Sequence, residues 1–121
     1  MNTLPRRPLW LAIGWSLVLL VTVLSLIPVQ ELPDVSYNDK VSHLLAYFSL
    51  MAWFGQIYGA RLKPTLILIA MGGLIEVLQG WSGYRDMSAL DMLANSAGVA
   101  LGWVFCRLAP GLLARLDACL P

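Results

Sequence analysis

The chain has 121 residues, of which 59% are hydrophobic and 12% charged, with a formal net charge of +1. A soluble domain carries about 25% charged residues; half that share cannot solvate a globular surface of this size, and the mean hydropathy of +0.72 agrees. The length allows a single domain, 1–121, and the balanced charge, with no basic tail or stripe, excludes a nucleic-acid partner.

The first predicted element is residues 9–27, a run without a charge that would span roughly 28 Å, close to a bilayer's hydrocarbon core. Arg6 and Arg7 precede it, but it is long for a signal-peptide core and no small-x-small cleavage site follows, so it reads as an uncleaved helix. Residues 41–58 form a second run, closed by Gly59. A third, 65–81, follows Pro64, which is expected at the first helical position. A fourth, 89–108, stops at Pro110-Gly111. Cys106 and Cys119 show no metal or redox spacing and read as free thiols, one in a helix and one in a tail.

Short connections make neighbouring helices antiparallel. Arg6, Arg7, Arg61, Lys63, Arg107 and Arg115 then share one side, whereas Lys40 and Arg85 on the other are offset by acids. The expected fold is all-α, a bundle of four transmembrane helices with both termini cytoplasmic. Trp10, Trp81 and Trp103 fall near its expected membrane boundaries. No internal repeat is visible, so an inverted-repeat transporter is not suggested.

Three polar clusters break this apolar pattern, all at the outer ends of helices. Asp39, His43 and Tyr47 recur at intervals of four on the second helix, after Lys40 has joined the cluster. Gly72, Glu76 and Gly80 do the same on the third, with Gln79 beside Glu76. Arg85, Ser88, Asp91 and Asn95 open the fourth, and Gly98 and Gly102 continue that stripe, spaced for close helix approach. Charges in such segments mark functional sites or pairs. Glu76 is a candidate proton carrier, general base or ion-pair partner. His43, the single histidine, is either an acid–base group or an interhelical hydrogen bond to Asp39 or Asn95. Ser88 or Asp91 can cap the fourth helix, but capping cannot serve both Asp91 and Asn95. Lys40 and Arg85 suit an anionic headgroup or, alternatively, pair with Asp39 and Asp86. No ligand spacing calls for a metal, and no cofactor motif is present.

The segment from Asp39-Lys40 through His43 to Tyr47-Phe48, then Glu76-Val77-Leu78-Gln79, then Arg85 through Ser88, Asp91, Asn95 and Gly98 resembles the ordered motifs of VanZ-like membrane proteins over residues 38–102. The resemblance implies a multi-pass protein of the bacterial inner membrane acting at the cell envelope. The family takes its name from a protein that contributes to resistance to the glycopeptide teicoplanin.

Three functions compete. In the first, an anionic lipid or amphiphile binds in an outward-facing pocket, with Asp39, Lys40, Gln79, Arg85 and Asn95 as binding residues. In the second, a membrane-embedded enzyme acts on a lipid-linked phosphate or ester, with His43 as acid or base, Glu76 or Asp91 orienting it and Arg85 stabilising negative charge; no serine elbow or P-loop is present. The third, a small proton-coupled exporter, fits less well, because Glu76 lies toward one face and no polar path crosses to the other.

Overall fold

An apolar chain punctuated by prolines and glycines has few options but helix, because a helix satisfies its backbone hydrogen bonds within itself. The computed structural model describes residues 4–26, 39–82 and 89–120, and these are all-helical, with no strand among them. The elements are α1 (Arg7–Leu26), α2 (Asp39–Tyr58), α3 (Leu62–Ser82), α4 (Ala89–Leu108) and α5 (Leu112–Cys119). At 20 or 21 residues, each long helix is roughly 30 Å in length. Pro64 is the third residue of α3 rather than its first. The first turn has no intrahelical acceptor for its N–H groups, so a missing donor there costs nothing.

The short fifth helix departs from the expected tail, and Cys119 is its last residue. Gly111 makes the turn into it at φ 79°, a left-handed conformation in which a side chain would be strained. Gln56 of α2 then joins the two helix ends. Its side-chain amide donates to the Ala109 carbonyl (2.9 Å), and its oxygen accepts the Leu113 backbone N–H (3.3 Å). One orphan group from each helix terminus is thereby satisfied.

The central element is α2. Tyr47, Leu50, Met51 and Phe54 on it are buried against Val21 of α1, Leu68 of α3 and Val99 of α4. It runs antiparallel to α1, with Trp10 edge-on to Trp53, Trp15 edge-on to Phe54 and the Arg7 guanidinium 4.9 Å over the Tyr58 ring. It runs parallel to α4. His43 meets Asn95 near the start of both helices, and Cys106 Sγ lies 3.3 Å from the Ala52 carbonyl, to which it donates, near their ends. Between these points α4 presents glycines. A Cβ on Gly102 would come within 2.7 Å of Met51 Cβ and 2.9 Å of the Phe48 carbonyl oxygen, and one on Gly98 would strike the Leu44 carbonyl oxygen. Two backbones can approach this closely only where no side chain intervenes.

Large apolar side chains lie on the outside of the long helices. Trp15 and Leu19 on α1, Leu62 and Leu74 on α3, Leu93 and Leu108 on α4 are all exposed. Among the described residues, one segment, Arg7–Ser25, is long and apolar enough by length and composition to cross a membrane alone, and Asp91–Leu108 with Leu112–Cys119, bent by 64°, meets the same criterion only if the two are counted together as one broken span.

Candidate functional site

The parallel pairing of α2 and α4 brings their first turns together, and with them the polar residues that open each helix. His43 Nδ1 and Asn95 Oδ1 are 2.9 Å apart. With an amide oxygen as partner, Nδ1 must carry the proton and donate it. The other ring nitrogen, Nε2, faces Asp91 Oδ2 at 3.8 Å. Asp91 and Asn95, one turn apart on α4, therefore grip opposite edges of one imidazole.

The floor of the cluster comes from α3. A Cβ on Gly72 would lie 3.3 Å from Asn95 Cβ and Nδ2 and 3.4 Å from Tyr47 Cε1, so this position seats α3 directly against both side chains. One turn further on, Glu76 is fully buried, at 0% exposure, and its carboxylate lies near enough to act electrostatically on Tyr47. The Tyr47 hydroxyl is buried and has no hydrogen-bond partner among the described residues. Tyr47 shares the α2 stripe with His43, and its spacing in the sequence is the signal that it belongs to this cluster.

Of the residues singled out in the sequence, the structure brings His43, Asp91, Asn95 and Glu76 to one end of the bundle, with Gly98 and Gly102 forming the α2–α4 contact below them. Arg85 and Ser88, and the side chains of Asp39, Lys40 and Gln79, lie outside the described residues. Among the described residues, no group of three potential ligands is arranged for a metal ion.

A second polar cluster closes the opposite end and involves a residue the sequence gave no role. Asp117 on α5 is fully buried, at 0% exposure. The Arg6 guanidinium donates to its Oδ1 (2.6 Å) and to its backbone carbonyl (3.0 Å). The Arg6 backbone N–H (3.1 Å) and the Trp10 indole N–H (2.9 Å) both donate to Oδ2. Burial alone would push this carboxyl up; the hydrogen bonds from Trp10 and Arg6, and the guanidinium charge, outweigh it and hold the group below the usual carboxylate range. Trp10 is thus buried as a donor, and its own carbonyl accepts the Trp53 indole N–H at 2.9 Å. The available signal was that Asp117 is the one acid after Asp91, in a segment otherwise charged by Arg107 and Arg115.

Comparison with protein-family models, with curated proteins and with solved structures found no match to this chain.

Proposed function

We propose that this chain is a VanZ-like integral protein of a bacterial inner membrane, crossing it four times with both termini cytoplasmic, and that it binds the headgroup of an anionic lipid or amphiphile in an outward-facing polar pocket. The membrane assignment is supported by an inside-out distribution: large apolar side chains on the outside of α1, α3 and α4, and Glu76 and Asn95 buried within. The observation that carries the pocket is the convergence of His43, Asp91 and Asn95 beside Glu76 at the end away from the termini. Lys40 and Arg85, the cations nearest this cluster in the sequence, are the proposed headgroup contacts.

The test is binding of a fluorescent phosphatidic acid, and separately of teicoplanin, to the full chain in nanodiscs. Arg85→Ala should weaken binding about tenfold, the loss of one charge-assisted contact. Unchanged binding in both Arg85→Ala and Lys40→Ala would sink the headgroup assignment.

A second reading is favoured by the approach of His43 Nε2 to Asp91 Oδ2 (3.8 Å). In it His43 is an acid or base toward a lipid-linked phosphate or ester, oriented by Asp91 and Asn95. Turnover of a polyprenyl phosphate, abolished in His43→Ala while the thermal transition is kept, would favour it. Full complementation of a deletion phenotype by His43→Gln would count against it.

A further inference from the structure

We propose that α5 lies in the headgroup layer of the leaflet at the terminal end, and that with the cations around it α5 forms a binding surface for anionic phospholipid, separate from the pocket. The proposal rests on the membrane reading above but not on the pocket.

Three observations carry it. First, α5 is set at 64° to α4, so a chain that descends through a bilayer along α4 turns at Gly111 to run closer to the membrane plane. Second, it is fixed there. Leu113 is buried against Trp10 and Ile57, Gln56 binds both sides of the turn, and Asp117 is held by Arg6 and Trp10. With that face committed to the bundle, Leu112 and Leu116, one turn apart, remain exposed, as does Leu108 at the end of α4.

Third, the surroundings are cationic without compensation. Arg7, Arg61, Lys63, Arg107 and Arg115 are exposed at this end, and the sole carboxylate side chain among the described residues there, Asp117, is buried on Arg6. Two of these guanidiniums lie over aromatic faces, Arg7 on Tyr58 and Arg107 on Trp103 (5.2 Å). Stacking leaves the N–H edge of such a group open to an oxygen acceptor. An apolar stripe beside a cluster of exposed arginines matches a surface of acyl chain and phosphate, and short helices of this pattern lie in the interface rather than across it. An acidic soluble partner would match the charge but would leave Leu112, Leu116 and Leu108 uncovered.

Cys119 makes the test direct, because it is exposed on α5 while the other thiol, Cys106, is buried. The full chain is labelled at Cys119 with bimane, with Cys119→Ser as the control for selectivity, and reconstituted with phosphatidylcholine alone or mixed with phosphatidylglycerol. Headgroup-proximal spin-labelled lipid should quench the label strongly and aqueous iodide weakly. Leu112→Gln with Leu116→Gln should reverse that order. Arg107→Gln with Arg115→Gln should lower the preference for phosphatidylglycerol on the order of fivefold per charge removed. Quenching by iodide alone in the unsubstituted chain overturns the proposal, as does an unchanged lipid preference in the arginine variant. A chain that fails to co-float with vesicles overturns the membrane reading and this proposal together, whereas a chain that floats but shows iodide quenching overturns only the placement of α5.

Discussion

Individual side chains at the two ends of the bundle differ in what they tolerate. Asn95 accepts from a ring that is nearly enclosed, so Asn95→Ala removes that hydrogen bond and should cost about 1 kcal/mol, read from chemical unfolding in detergent. Tyr47 should behave in the opposite way. Its buried hydroxyl has no described partner, so Tyr47→Phe removes a desolvated polar group and should leave the thermal transition unchanged or raise it. A clear drop would mean that the hydroxyl is bonded in the native protein. At the terminal end, Asp117 adds a pH dependence. Its carboxyl is held below the ordinary value, near pH ~3.9, so its contribution to stability is complete above that value and is lost as pH falls through the lower folded value. Thermal unfolding against pH should show an acid limb that is shallower in Asp117→Asn than in the unsubstituted chain. Asp91, Asn95 and His43 were legible as site residues because polar groups in apolar helices stand out one by one. Asp117 was not, because nothing local ties it to Arg6, 111 positions away.

Among the helices, α4 sets the register of the site. Gly98 and Gly102 allow its backbone to lie on α2, and that contact aligns the first turns of both helices so that Asn95 and Asp91 reach His43. Gly98→Ala places a methyl group against the Leu44 carbonyl and should destabilise the protein by about 1–3 kcal/mol, as overpacking does. It should also disturb the His43 environment, seen as a shifted imidazole resonance by NMR. Gly73→Ala is the contrasting variant. Its Cβ would meet Met92 Cε at 3.8 Å, an ordinary contact, and the change should be close to neutral. The four long helices were readable in outline from uninterrupted apolar runs and their proline and glycine stops. Their ends differ from the reading by up to three residues, as at α3, where backbone geometry lets Pro64 sit inside the first turn. The fifth helix escaped notice because it is only eight residues long and follows Pro110-Gly111, which reads as the end of the helical part of the chain.

Across the whole molecule, the alternation of α1 to α4 puts both described ends of the chain at one face, where Arg6 meets Asp117, and the His43 cluster at the other. Under the four-span reading, reporter fusions at both termini should show cytoplasmic placement, and a cysteine introduced at position 37 should react with a membrane-impermeant reagent from outside; labelling only from inside would remove the outward-facing pocket. Long apolar runs bounded by proline and glycine determined that the described chain would be helical, and the low share of charged residues determined that polar groups inside those runs would be exceptions. Spacing determined which polar residues share a helix face. The tertiary structure decided the rest: that α2 is central, that α4 lies parallel to it, and that one imidazole sits between two neighbouring turns of α4. It also decided that a lone aspartate near the end of the chain is a buried anchor. Those facts depend on which faces pack and at what register, and register is fixed by close contacts between residues distant in sequence, which no local pattern encodes.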